Sequence, residues 1–406
     1  MTDDLALLDP ARPDRFADGS AHALFRRLRA EAPIHRCEGG EFGSYWSITR
    51  HADISAIEND PDTYSSSWTR GGISIIEPPP GDVMHANALG MVSFITMDPP
   101  DHAAKRRVVA PAFTPSEMQR LAGDIRRRTV ERLESLPRGA VFDWVSDVSV
   151  PLTTDMLAIL FDFPWEERAK LRLWSDAIVS LDMIRHQPDA RMALVMEMAQ
   201  RFLALWQERL AAPPALDLLS MMIHSDQYDR IDQMEFVGNM ALLIVGGNDT
   251  TRNSMSALAE VIGRWPDEWA KVVADPTLAL NVASEVIRWQ SPAAHMRRTV
   301  TRDTDFQGQR FAAGDKIVLW YLSGNRDEGV FPDGDRFIAD RPNARRHLSF
   351  GHGIHRCVGA RLAELQIGIL IEEMVRLGIQ PQPAGAVVRD AHPFISSISA
   401  EPVILG

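Results

Sequence analysis

Two cysteines in 406 residues, Cys37 and Cys357, are too few and too far apart to build a disulfide framework, so a reducing compartment is expected. Basic residues do not predominate either. Forty-three Lys and Arg stand against 55 Asp and Glu, a formal charge of −12, which argues against nucleic acid as a partner. No apolar run is long enough to cross a bilayer: MALLIVGG at 240–247 is well short of the roughly 20 residues needed. The start, MTDDLALLDPARPDRFADGS, has no cationic head and no long apolar stretch, so neither a secretory signal nor a membrane anchor is expected and the location expected is cytoplasmic. Internal repeats, low-complexity segments and Gly/Ser linkers are also missing. Residues 1–406 are therefore read as one domain, although the length alone allows two or three.

What remains is a soluble composition, 45% hydrophobic and 24% charged, dominated by helical patterns. SAHALFRRLRAEAP (20–33) is amphipathic and stops at Pro33. IHRC and SYWSITR have strand character about an EGGEFG turn. Residues 71–96, with a Pro-Pro-Pro run, read as a shaped loop or lid. A helix over 231–264 has an almost wholly apolar middle and is expected to be buried. A second helix over 277–290 precedes a strand-rich part containing KIVLWYL (316–322), and a last long helix follows residue 357. The fold class predicted is mainly α with a small β portion.

The segment FGHGIHRCVG (350–359) carries the chemistry. Cys357 lies just before a helix, where the N-terminal end of the dipole favours a thiolate. Gly351, Gly353 and Gly359 allow a bulky flat partner to approach, and Phe350 is placed to shield the sulfur. With no second cysteine nearby, zinc, an iron–sulfur cluster and a redox dithiol are disfavoured. By itself the segment leaves two readings open, an inert buried thiol and a single thiolate ligand to a haem. Cys37, with no glycines around it, reads as an inert thiol.

Gly246 and Gly247 in the centre of a buried helix cost about 1 kcal/mol each relative to alanine. A local widening or kink beside a bound group is expected there. Asp249 and Thr250 follow directly; a buried Asp needs a partner or a task. Glu285 and Arg288, three apart, share a helix face and can pair. His102 and Arg106, four apart, share another.

FGHGIHRCVGAR resembles the Cys-ligand loop of the cytochrome P450 family: Phe, two residues, Gly, three residues, Cys, one residue, Gly. EVIR (Glu285, Arg288) is similar to the family's Glu-x-x-Arg, VGGNDTT to its oxygen-activating helix, MDPPDHAAKR to its His-x-x-x-Arg helix and FPDGDRF to the meander, all in the family's order. The resemblance covers essentially the whole chain. It implies a P450 fold with haem b between the long central helix and the Cys loop, and Cys357 as axial iron ligand. It further implies haem contacts from Phe350, Gly351 and Gly359, and propionate binding by His102, Arg106, Arg298 and His355. Thr250 is implied to hydrogen-bond iron-bound oxygen, Asp249 to deliver protons, and Glu285, Arg288 and Arg336 to form a structural network. Asn248 departs from the residues usual at its position.

The implied activity is insertion of one oxygen atom of O₂ into an unactivated C–H bond. Without a flavin or iron–sulfur motif, electrons from NAD(P)H are expected through a separate ferredoxin and its reductase. Lys105, Arg106, Arg107, Arg345, Arg346 and Arg356 are candidates for the landing site. GGISIIEPP, GGNDTTRNSM, WYLSGNRDE and HLSFGHGIHRCVG are similar to the bacterial branch that hydroxylates the terminal carbon of alkanes and fatty acids. That implies a narrow apolar channel for a linear substrate, with walls from Ile73, Ile75, Ile76, Leu242, Val245, Gly246, Met296, Phe394 and Ile395. The Met-rich stretch 183–198 is read as an adaptable roof. A hydroxylase of a terpenoid or steroid and a non-catalytic haem sensor are the alternatives. A peroxygenase is disfavoured by the Asp249-Thr250 pair.

Overall fold

The computed structural model describes residues 8–76, 92–225 and 233–406. Helices form most of it, as expected from the patterning. The central helix, Gln233–Arg264, is buried on nearly every side between Phe236 and Ile262, which its apolar middle requires. The helix Val150–Phe161 packs against it so closely at Gly247 that a Cβ there would lie 2.6 Å from a Leu157 methyl. This explains Gly247 without a distortion. The expected widening is not found, and the helix is regular through Gly246 and Gly247.

The second predicted helix spans Ala279–Gln290 and ends at Ser291 in a left-handed conformation. The helix after the Cys loop spans Ala360–Arg376 and lies against both Ala279–Gln290 and Pro115–Glu134. Thr114 opens the latter by accepting a hydrogen bond from the Glu117 amide, with Pro115 at the first helical position, where its missing N–H costs nothing.

The β portion of the described residues is small and divided among four sheets. Ile34–Gly40 and Gly43–Ile48 form the expected hairpin. Gly43–Ile48 pairs in parallel with Lys316–Leu319, which pairs antiparallel with Met296–Val300, and Tyr64–Ser65 completes a five-stranded sheet. KIVLWYL is a strand for only four residues; Tyr321 to Gly324 turn into a short helix. The Met-rich stretch is divided between the helices Leu181–His186 and Pro188–Leu210.

The Glu285–Arg288 pair ties the helix Ala279–Gln290 to the loop before Cys357. Both side chains are fully buried, and two 2.7 Å hydrogen bonds join them in bidentate fashion. Arg288 also donates to the carbonyls of Asn325 and Gly334 at 2.7 Å and of Arg336 at 2.9 Å. The third side chain is Arg341, whose Nε lies 2.9 Å from Glu285, and not Arg336 as expected. The Arg336 guanidinium is 58% exposed and, among the described residues, reaches only Glu268, at 3.7 Å; its part in the network is its backbone carbonyl.

Candidate haem-thiolate active site

A cavity between the central helix and the Cys loop brings together most of the residues singled out above. Cys357, Phe350, Gly351, Gly359, His355, His102, Arg106, Gly246 and Thr250 all line it. The loop is held by the Cys357 amide, which donates to the Phe350 carbonyl at 2.7 Å. Two glycines have conformational reasons. Gly351 has φ 68° and Gly353 φ 64°. A Cβ on Gly353 would lie 2.4 Å from the backbone oxygen of Glu58, so this glycine admits a neighbouring helix end. A Cβ on Gly359 would meet only ordinary contacts, 3.7 Å from Phe113 and 3.9 Å from the Cys357 sulfur.

Cys357 is exposed, and its accessible surface lines the cavity. Burial pushes its thiol up, against the backbone amides of Gly359 and Ala360 and the guanidinia of Arg106 and Arg356, which act the other way. The helix end therefore does not by itself secure a thiolate; a metal cation facing the sulfur would.

On the same wall the rings of His102 and His355 lie 4.2 Å apart. His102 Nε2 and both ring nitrogens of His355 are buried with no hydrogen-bond partner. Burial, followed by the charge of Arg106, lowers His102 to about 4. Burial also lowers His355 well below the usual range, with Arg298 the next cause. Orphaned nitrogens beside cationic guanidinia form a place for acidic oxygens. Arg298 stands close but is engaged: it is buried, 3.0 Å from Glu58 Oε1, and donates to its neighbour's carbonyl at 2.8 Å. Tyr321 also donates to Glu58. The residues present fit a haem: Cys357 would hold its iron, and His102, His355 and Arg106 would hold its propionates, while Arg298 would have to share its charge with Glu58.

Across the cavity, a Cβ on Gly246 would meet nothing within 4 Å, so the missing side chain leaves open space. The Thr250 hydroxyl donates to the Gly246 carbonyl at 2.7 Å and keeps its lone pairs for an incoming donor. Asp249 faces the other way. It is fully buried, accepts a 2.6 Å hydrogen bond from Ser175 and pairs with Arg252. Its carboxylate lines a different cavity, shared with Arg252, Asp176 and His392. Burial raises Asp249 above the usual carboxylate range, against the charge of Arg252. Asn248 accepts from Thr153 at 3.0 Å.

Of the expected channel walls, Ile73, Leu242, Val245, Gly246, Met296, Phe394 and Ile395 line the cavity. Ile75 and Ile76 do not: both are packed into the core, and the Ile75 amide donates to His295 Nε2 at 3.2 Å. The rest of the lid, residues 77–91, lies outside the described residues. Phe94, Ile95, Met156, Leu157, Leu160 and Thr251 also form walls, and sequence reasoning missed them. Nothing but their apolar character distinguishes most of them in the sequence. None of the methionines of 183–198 reaches the cavity.

A family model for cytochrome P450 matches residues 90–377. This chain belongs to the cytochrome P450 family. The linalool 8-monooxygenase of Pseudomonas putida is 35% identical over 90% of each chain. Among solved structures, CYP153D17 from Sphingomonas sp. PAMC 26605 is similar at 52% identity and a TM-score of 0.92, over 98% of both chains. Cytochrome P450-153 from Novosphingobium aromaticivorans is similar at 45% and 0.91, over 98% of this chain and 99% of that one. The protein is thus a haem-dependent P450 monooxygenase, and its mainly helical fold is that of the family. Among the described residues, no helix of this P450 is long and apolar enough to cross a membrane.

Two histidines pin segments beside the P450 cavity, including the lining residues Phe394 and Ile395. His295 Nδ1 donates to the Pro393 carbonyl at 2.8 Å while Nε2 accepts from Ile75. His392 Nε2 donates to the Val179 carbonyl at 2.8 Å while Nδ1 accepts from the amides of Phe394 and Ile395. Only neutral rings can do both. Burial lowers His295 to about 3 and His392 to about 4. A histidine depressed in the folded state supplies stability above its unfolded value, about 6.5, and loses it as pH falls toward the folded value. Stability of the holoprotein is therefore expected to drop between about pH 6.5 and 4. Urea midpoints across that range check it, and a flat profile would contradict the assignment.

Proposed function

We propose that this P450 hydroxylates the terminal carbon of medium-chain linear hydrocarbons or fatty acids, with hydrocarbons favoured. The observation that carries this reading is the wall of the cavity beyond Thr250. Ile73, Phe94, Ile95, Leu160, Leu242, Val245, Met296, Phe394 and Ile395 line it, and none carries a hydrogen-bonding side chain. Such a site holds its substrate by shape and by removal of apolar surface from water, about 25 cal/mol per Å². Among the described lining residues the cationic or imidazole side chains are His102, Arg106 and His355, all proposed to face the propionates, so none of the others there offers a fatty-acid carboxylate a cationic partner.

Cys357 is the proposed iron ligand, and His102, Arg106, Arg298 and His355 the proposed propionate partners. Haem bound through a thiolate supplies the chemistry of O–O cleavage. The chain's own part is to exclude water, to orient the substrate and to hold a proton donor at the Thr250 hydroxyl. Asp249 must turn from Ser175 and Arg252 to pass protons across the helix; its raised affinity for a proton suits that exchange. Thr250→Ala is expected to keep haem and substrate binding but to divert most reducing equivalents to peroxide. The ratio of product formed to NADH consumed checks this, and an unchanged ratio would remove Thr250 from the relay.

Electrons are proposed to come from NAD(P)H through a ferredoxin and its reductase. Arg107, Arg345, Arg346 and Arg356 are exposed near the Cys loop and suit an acidic partner. Lys105 does not, being 3.1 Å from Glu235 and largely covered.

A second reading, terpenoid hydroxylation, is favoured by the likeness to a linalool 8-monooxygenase. Optical titration of the ferric protein separates the two. A low-to-high-spin shift with dodecane but not with linalool or a cyclic terpene supports the first; a shift with the terpenes alone supports the second.

A further inference from the structure

A second cavity, sharing no lining residue with the active site, lies where the helix Ala21–Glu31 meets the C-terminal ends of the central helix and of Ala279–Gln290. Five arginines line it, Arg15, Arg26, Arg264, Arg326 and Arg389, against two carboxylates, Glu260 and Asp335. In a chain of formal charge −12 this is a local reversal of sign. The arginines come from separate parts of the chain, so the fold gathers them; they are not one solvated helix face.

Their partners leave positive charge over. Arg26 pairs with Asp335 and Arg389 with Glu260. Arg326 is buried, yet its only carboxylate contact among the described residues is a 3.4 Å approach to the same, partly exposed Asp335. Two carbonyls take its other nitrogens, Trp289 at 2.6 Å and Leu322 at 3.4 Å. Arg264 stacks over Trp265 at 4.6 Å and has no carboxylate partner among the described residues. Arg15 donates to the Asp9 carbonyl at 3.2 Å and likewise has none. His22 adds an independent sign: it lines the cavity, and its Nδ1 is buried with no hydrogen-bond partner. Burial, then the charge of Arg326, keeps that ring neutral.

We propose that this cavity is a binding site for a multivalent oxyanion of the phosphate class. Guanidinia converging from several directions match a tetrahedral polyanion, and a neutral imidazole can donate one further hydrogen bond to it. Trp289 and Phe16, also in the lining, offer apolar surface to any organic part of the ligand.

The test is titration of the ferric holoprotein with inorganic diphosphate at fixed ionic strength, followed by calorimetry, with AMP as a second arm. One saturable site is expected, weakened at least about tenfold in both Arg264→Gln and Arg389→Gln. An unchanged Soret band in the variants confirms that they fold and hold haem. Tighter binding of AMP than of diphosphate would mark the ligand as a nucleotide-like phosphate ester, and the reverse as a free polyphosphate; either supports the site. Lack of saturable binding to the parent protein, or equal affinity in the folded variants, would overturn it.

Discussion

Cys357→Ala is expected to lose the thiolate-type absorption of the reduced carbon monoxide complex and at least about a thousandfold in turnover, some 4 kcal/mol of barrier. The reason lies in the balance of forces at the sulfur. Burial favours the thiol, while two backbone amides and two guanidinia favour the thiolate without prevailing. The protein thus presents a sulfur that a cation can convert to a ligand, in a cavity that Thr250 also lines. Cys37 is the control. It is buried, and desolvation pushes its thiol up to about 12, so Cys37→Ala is expected to leave spectrum and turnover unchanged. Absorption spectra of the two purified variants decide the matter; a thiolate-type band surviving in Cys357→Ala would contradict the assignment.

Arg288→Ala carries the second large effect. It would leave Glu285 buried with Arg341 as its remaining cationic partner, and leave the carbonyls of Asn325 and Gly334 without their guanidinium donor. Breaking a buried pair from one side costs roughly 3–5 kcal/mol, a large share of the roughly 5–15 kcal/mol by which domains are stable. Because the network anchors the segment leading into the Cys loop, haem content is expected to fall with stability. Urea denaturation and haem content of the purified variant check this together. Arg336→Ala, by contrast, removes an exposed side chain and keeps the carbonyl that the network uses, so it is expected to change stability by less than about 1 kcal/mol. Equal losses in the two variants would mean that the network has been drawn wrongly.

That contrast shows where the sequence is informative. Local spacing made Glu285–Arg288 legible, since three residues apart on a helix is a contact in any fold. Its third member comes from a loop folded back on itself. Arg336 and Arg341 both stand in that loop, and only the tertiary path decides which guanidinium turns inward. The central helix was legible from its length and apolar middle, and its C-terminal end at Arg264 is where the pattern places it. The widening expected at Gly246 and Gly247 was not, because the two glycines have different local causes, an open cavity and a tight crossing with Leu157.

The cavity walls divide in the same way. Ile73 lines the cavity while Ile75 and Ile76 enter the core; no periodicity in a segment without regular structure separates them. Asp249 and Thr250 are adjacent in sequence, yet a helix turns successive side chains by about 100°, so one faces the haem side and the other a separate cavity. The partners of Asp249 could not be chosen in advance, since Ser175 comes from a helix far away in sequence.

The most direct test of the central claim is turnover of dodecane under ¹⁸O₂ with a ferredoxin, its reductase and NADH, with the products separated by carbon position. The account predicts one ¹⁸O atom per product, placed at the terminal carbon, and formed in step with NADH consumed. Label placed chiefly on interior carbons, or NADH consumed without labelled alcohol, would contradict it.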